Sequence, residues 1–491
     1  MIRRSLTTGV LLVLSLNSQA QIPGKGLDSF FEIVAKNMGA VNLKSIKYSG
    51  SGFNFALGQS VRPFAPWPKF NVKSYTRTIN YETGSSQEEM LRTQYENPPR
   101  GGGAQPIIGE QRQVQLVSGS YAWNLAGNTA APVPAAAIER MLQIWTTPHG
   151  FLKAAQLNKA TVTSAGAGKG GKTHVVSFLA DGKFKITGFI NSQNLVERVE
   201  TWIPNPVAGD MLVETLYSNY QDMSGIKFPT RIVQKQGGFP TLDIGITSVE
   251  PNASAAIEVP VTVRQASAPP VRVETQKLAE GVWYLTGGTH HSALVEFKDH
   301  VVLIEAPLNE ERSLALLAEI KKLAPNKPIK YLVMTHHHFD HSGGVRTIVA
   351  EGATVVTHRL NRPFCDKFLQ GKRTLSADRL SQARKTPRLI TMADKHVLTD
   401  GTRVLELHHI KGSTHNEGII MAYLPAEKIL VEADVYTPGA VNAPPPATPN
   451  PFTVNLHENL QRLNLSVDRI APLHGRLVSR EDLLKAIGKT P

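Results

Sequence analysis

Between residues 69 and 81 the chain reads KFNVKSYTRTINY, with Phe70, Val72, Tyr75, Ile79 and Tyr81 separated by polar residues. Two-residue alternation of this kind predicts a strand with one buried face. QVQLV (113–117), KFKITGFI (183–190) and LVERVETWI (195–203) repeat it, with Gly, Asn and Asp turns between them. Residues 21–255 are therefore expected to form an antiparallel β-rich domain. One helix is expected over 135–147, where Ile138, Met141, Leu142 and Trp145 share a face and Pro148 marks the end. NPPRGGGAQP (97–106) and AGAGKGGK (165–172) read as flexible loops. The stretch 251–275 is rich in Pro, Ala and Ser, and 256–275 reads as a linker.

From residue 276 the pattern changes. GVWYLTGG (281–288), SALVEF (292–297) and VVLIEAP (301–307) predict successive strands. A helix follows, with Leu316, Leu317, Ile320 and Leu323 on one stripe. IKYLVMT (329–335) and ATVVTH (353–358) predict further strands around a helix beginning near Gly344. Near-continuous apolar strands alternating with helices imply a layered α/β domain with sheets buried on both faces. The whole is an α+β chain of two domains. In such layered domains chemistry gathers on loops beyond the C-terminal ends of strands.

Composition adds limits. The chain has 491 residues, 41% hydrophobic and 19% charged, a globular profile. Its net charge of +13 comes without a dense Lys/Arg block or a basic recognition helix, so nucleic acid is not the expected partner. MIRRSLTTGVLLVLSLNSQA (1–20) has two arginines, a short apolar run and small residues at Ser18 and Ala20. This is the pattern of a signal peptide cleaved after Ala20. The adjacent arginines admit a twin-arginine route as well as the general one. The expected location is the periplasm or the exterior, with no stable membrane anchor. Cys365 is the one cysteine, so no internal disulfide forms, and its large apolar neighbours mark it as a packed thiol.

The chemistry concentrates in THHHFDHSGG (335–344), at the end of an expected strand. His336 and His338, two apart, can point into one site. Asp340 and His341 can face a second point nearby, and Gly343 and Gly344 would allow the chain to bend tightly. Imidazole nitrogens with a carboxylate suit Zn²⁺. Further donors recur in the same context, where a strand gives way to a loop. They are His415 in IKGSTHNEG (410–418), Asp434 in KILVEADVY (428–436) and His474 in RIAPLHGR (469–476).

HHHFDH (336–341), followed in order by His415, Asp434 and His474, resembles the His-x-His-x-Asp-His signature and later motifs of the metallo-β-lactamase-fold hydrolases. The resemblance covers residues 276–491 and implies an αβ/βα sandwich with metals at one edge. Carried over by position, His336, His338 and His415 would hold one metal. Asp340, His341 and His474 would hold a second, and Asp434 would bridge them. Glu305 stands where the family often has Asp, in a role that orients the ligand loop. LYSNYQDMSGIKFPTRI (216–232) also resembles the sheet domains of periplasmic lipoprotein-carrier proteins, which implies an apolar half-barrel.

The function so implied is an exported di-zinc hydrolase in which a hydroxide between two Zn²⁺ ions attacks an ester, lactone or related bond of a small molecule. Asp340 is the candidate for proton handling. His291, in GGTHHSAL (287–294), and Asn416 are the candidates for substrate contact. The segment 360–392, with Phe364 and Phe368, reads as a helical lid. β-Lactam hydrolysis and phosphoester or sulfate-ester hydrolysis are alternatives. A lipid- or partner-binding module is an alternative of another class.

Overall fold

The structure, a computed structural model, describes residues 24–168, 171–268, 270–441 and 443–490. The expected signal peptide, 1–20, lies outside the described residues.

The first part is a 13-stranded antiparallel sheet, from Thr129–Pro132 at one edge to Thr161–Gly168 at the other. Its first strand, Ser45–Phe55, pairs with its last, Phe239–Pro251, at the centre. In the strand Lys69–Asn80 the buried positions are Phe70 and Val72, then Tyr75, Arg77 and Ile79, so the parity changes midway. A β-bulge between Val72 and Ser74 causes this, because one extra residue turns the rest of the strand over. That explains why the apolar spacing in the sequence slips by one.

Pro148 does more than end a helix. The helix Ala137–Trp145 stops before it, and Pro148–Leu157 begins with it, since proline suits the first position of a helix. The expected apolar face is also rotated: Leu142 and Ile144 are buried, whereas Ile138 is 57% exposed. Of the loop expected at 165–172, residues 165–168 belong to the strand Thr161–Gly168 and 171–172 to Gly171–Ala180, which pair antiparallel, and 169–170 lie outside the described residues. The linker is docked: Val263, in the short helix Val261–Arg264, is buried with Val114, Leu116 and Trp123.

His149 lies in the core of this domain. Its Nε2 bonds Met38 O at 3.1 Å and its Nδ1 has no partner among the described residues. Burial pushes its pKa down to about 4. The unfolded chain, with an ordinary imidazole near 6.5, then binds the proton that the folded chain refuses. Stability should fall as pH drops from about 6.5 to about 4, by on the order of 3 kcal/mol from this group. H149Q keeps a donor for Met38 O but does not titrate, so its urea midpoint should depend less on pH across that window. An equal dependence in both proteins would refute the assignment.

The second part carries two facing sheets. The first has seven strands: Glu274–Ala279, Val282–Thr286, Ser292–Glu296, Val301–Ile304, Ile329–Val333, Thr354–His358 and Arg388–Met392. Its last four are parallel. The second has six, including Val404–His409, Ile420–Leu424, Ile429–Glu432 and Arg469–Pro472. Val302, Ile304, Val333 and Val356 of one meet Leu405, Leu407, Ala422 and Val431 of the other in a core with no exposed surface. Helices Glu310–Leu323 and Val345–Ala350 cover the outside of the first sheet. Pro451–Arg462 and Arg480–Ala486 cover the second. This is the αβ/βα sandwich expected. The strands read as unbroken apolar runs because both faces are buried.

Candidate metal centre

Strand Ile329–Val333 runs out into Thr335–His338, which stays extended to φ −60°, ψ 147° at His338. Extended residues alternate sides. His336 and His338 thus face one way, with His337 and Phe339 the other. The short helix Phe339–Ser342 then brings Asp340 and His341 to the first side. Gly343 and Gly344 serve closeness rather than bending, since both have ordinary helical φ. A Cβ on Gly343 would fall 1.9 Å from Leu308 O, and one on Gly344 2.1 Å from Ser313 Oγ.

The remaining candidates converge on the same edge. His415 lies in the loop before Ile420–Leu424, Asp434 two residues past Ile429–Glu432, and His474 two past Arg469–Pro472. Asp434 sits at the centre. Its Oδ2 is 2.8 Å from His341 Nε2, 3.1 Å from His336 Nε2 and 3.2 Å from His415 Nε2, and its Oδ1 is 2.9 Å from His474 Nε2. Donor atoms of His336, His338, His415 and Asp434 lie within 4.8 Å of one another, as do those of His290, Asp340, His341 and His474. All seven sequence candidates are brought together.

The donor set fits metal ions because the outer nitrogen of each of four rings is already occupied. His336 Nδ1 donates to Thr335 Oγ1 (2.9 Å), and His338 Nε2 to Ser60 O (2.9 Å). His341 Nδ1 donates to Glu305 Oε2 (2.8 Å), and His474 Nδ1 to Thr289 O (3.1 Å). Each ring's proton is thereby fixed on the far side and its inner nitrogen left as a lone pair. Among the described residues, His338 Nδ1 and His336 Nε2 are buried without a hydrogen bond. The inner nitrogens of His341 and His474 lie 3.0 Å apart, an approach of two lone pairs that a cation relieves.

The electrostatics agree. Burial first, then neighbouring His341, pushes His336 down to about 4, so it stays the neutral imidazole a metal needs. Burial holds His338 well below its ordinary value too. His341 goes the other way: against burial, Asp434, Glu305 and Asp340 raise it well above the usual range. Three carboxylates around one ring ask for positive charge at that point.

Several contributors were not foreseen. Gln59 Nε2 donates to Asp340 Oδ1 (2.8 Å), and Ser60 supplies the carbonyl under His338. Both come from the first domain. His290 Nε2 is 3.2 Å from Asp340 Oδ2 and its ring is 4.1 Å from that of His474. His291, the candidate for substrate contact, is turned away: its Nε2 bonds Gly475 O (2.9 Å) and its N–H bonds Leu473 O. Asn416 is likewise structural. Fully buried, it donates to His337 Nδ1 (2.9 Å) and accepts from Gly418 N–H (2.9 Å). The dipeptide His290–His291 signalled a histidine at the site, but only the turn geometry decides which one enters.

Nor is 97–106 an idle loop. Gly101 N–H bonds Thr414 O (2.7 Å) and Gly102 N–H bonds Gln59 O (3.0 Å), which lays the glycines over the ligands. A Cβ on Gly102 would be 2.8 Å from His415 Cε1 and 2.9 Å from His338 Cε1. Three consecutive glycines were the signal for such an approach. G102V should displace both rings and weaken metal binding about 10- to 100-fold, with the melting of the metal-free protein little changed. Metal titration with a competing chelator checks this, and unaltered affinity would show that the loop does not press on the ligands.

Comparison with known proteins agrees with the geometry. Residues 285–474 match the metallo-beta-lactamase superfamily. The superfamily's fold implies a divalent metal, typically zinc, and the matched span contains all seven candidate ligands. Among curated proteins, the chain is 25% identical over 214 residues to a 2,4-dinitroanisole O-demethylase subunit alpha of Nocardioides sp. (strain JS1661), covering 42% of this chain and 59% of the relative. It is 38% identical over 58 residues to a linear primary-alkylsulfatase of Pseudomonas sp, covering 12% of this chain and 9% of the relative. The matches thus span less than two thirds of either relative. Among solved structures it is similar to a metallo-beta-lactamase from Pontibacter korlensis (23% identity, TM-score 0.35, 44% of this chain, 98% of that one). It is also similar to one from Hirschia baltica (21%, TM-score 0.33, 44% and 96%).

Proposed function

We propose that this superfamily hydrolase is an exported di-zinc enzyme that cleaves an ester, lactone or related bond of a small molecule. The observation that carries the reading is the two adjacent donor groups, with Asp434 in contact with His336 and His415 of one and with His341 and His474 of the other. His336, His338 and His415 would hold one ion, Asp340, His341 and His474 the other, with Asp434 between. When bound, the ions supply a polarising charge for the scissile group and a water acidified toward neutral pH.

The chain's own residues do the rest. Gln59 and His290 hold both oxygens of Asp340, one each, so its carboxylate is oriented. Against burial, His341 and His290 keep Asp340 below the usual carboxylate range, so it stays ionised and accepts hydrogen bonds at neutral pH. A cleft of about 340 Å³ lies between Gln59, Gly102, Thr437, Asn450 and His474, a size that suits a small molecule. A second reading, sulfate-ester hydrolysis, is favoured by the alkylsulfatase match and by the net positive charge.

The test is a hydrolysis panel on purified protein of known metal content. It includes nitrophenyl esters, lactones, alkyl sulfates, phosphoesters, a chromogenic cephalosporin and 2,4-dinitroanisole. Two zinc ions per chain are expected, with ester or lactone turnover lost on chelation and restored by Zn²⁺. Turnover that survives complete metal removal would end the proposal, and preference for sulfates or the cephalosporin would redirect it. Export is checked by sequencing the N-terminus of secreted protein, which should begin at Gln21.

A further inference from the structure

The metal loop has two sides, and only one faces the ions. His337 and Phe339, which point away, form part of the wall of a separate cavity of about 530 Å³ at the junction of the two domains. Trp67 and Phe239 line it from the first domain, their rings 5.2 Å apart. Phe364 and Phe368 line it from the helix Arg362–Gln370, stacked at 5.3 Å. Two large apolar side chains are left open beside it: Phe64 and Trp202, each 47% exposed. Phe64 is held at φ 62°, a left-handed conformation unfavourable for an aromatic residue, so its placement here is maintained against local strain.

The polar lining has a sign. Lys367 and Lys372 face the cavity, and Lys367 Nζ lies 5.1 Å from the centre of the Phe64 ring. Among the described residues neither lysine has a carboxylate partner. Asp210 also lines the cavity, but its carboxylate is occupied by Thr374 N–H (2.9 Å), the Thr374 hydroxyl (2.6 Å) and Leu375 N–H (3.0 Å). Aromatic walls with two free ammonium groups at the mouth suit a molecule with a flat apolar body and an anionic head.

We propose that this cavity is a second ligand site, distinct from the metal cleft, for an aromatic or alkyl-bodied organic anion. Ser60 lies between the two spaces: its carbonyl accepts from His338, while the residue also lines the cavity. The ligand would rest against the back of the loop whose front holds the metals. It needs no metal, so the proposal stands or falls apart from the catalytic reading.

Two fluorescent probes test it on the full chain: 1-anilinonaphthalene-8-sulfonate, an apolar anion, and uncharged N-phenyl-1-naphthylamine. Both should bind saturably at one site per chain, equally in zinc-loaded and chelated protein. Ala208 is an exposed lining residue, so A208W should fill the cavity without disturbing the core. It should weaken both probes by about tenfold or more, with an unchanged melting temperature. The K367E/K372E double variant should weaken the sulfonate by about fivefold or more and leave the neutral probe within about twofold. If A208W titrates like the parent, or if binding requires zinc, the cavity is not the site and the proposal fails. If both probes respond equally to charge reversal, the anion preference fails.

Discussion

D434N is expected to reduce metal content from two ions per chain to one or fewer and to lower kcat/KM by about a thousandfold, equivalent to ~4 kcal/mol of transition-state stabilisation. Asp434 touches both donor groups: His336 and His415 on one side, His341 and His474 on the other. A neutral amide in its place would hold neither ion with the charge the four rings require. The substitution is nearly isosteric. It also suits the backbone, because Asp434 lies at φ 63° and asparagine tolerates the left-handed region as well as any residue with a side chain. Loss of function through misfolding is thereby separated from loss through the metals. The measurements are metal content by mass spectrometry, turnover on the best substrate of the panel, and melting of the chelated protein. D434N retaining two ions and full turnover would contradict the placement of Asp434 between them.

The ligands themselves were legible because their signal is local. Each follows an apolar strand, and strands of one sandwich deliver their C-terminal loops to one edge, as His336, His415, Asp434 and His474 show. What supports them was not legible. Gln59 reaches Asp340 across 281 positions, from a domain whose pattern declared only a sheet. No periodicity links two such residues, and nothing about a lone Gln–Ser pair marks it as part of a metal site. The glycines at 101–103 declared close approach but not to what. Position 290 against 291 turned on a turn's conformation. The bulge at Val72/Ser74 and the helix start at Pro148 belong to the same class: each is a one-residue decision that composition and period average over.

Those supports are where the second large effect is expected. E305Q should remove one metal from the protein and weaken the second group's affinity by about a hundredfold, although no Glu305 atom need touch an ion. Glu305 is fully buried, at φ 68°, just past the strand Val301–Ile304. Its Oε1 accepts from Thr335 N–H (3.0 Å) and from the Thr335 hydroxyl, and its Oε2 accepts from His341 Nδ1 (2.8 Å). The longer carboxylate therefore reaches both the ligand loop and the ring beyond it. A glutamine whose carbonyl oxygen keeps Thr335 must present its NH₂ to His341 Nδ1. Two donors cannot face each other, so His341 must move its proton to Nε2, the atom that should face the metal. The ring would be in place but the wrong tautomer. In ¹⁵N spectra of the metal-free protein, taken at a pH high enough for the ring to be neutral, His341 should then show its proton on Nε2 rather than Nδ1. Addition of Zn²⁺ should fill one site at about the parental affinity and the other only at much higher concentration. If E305Q loads both sites like the parent, the tautomer is set by something other than Glu305, and the bare nitrogen facing His474 needs a different explanation.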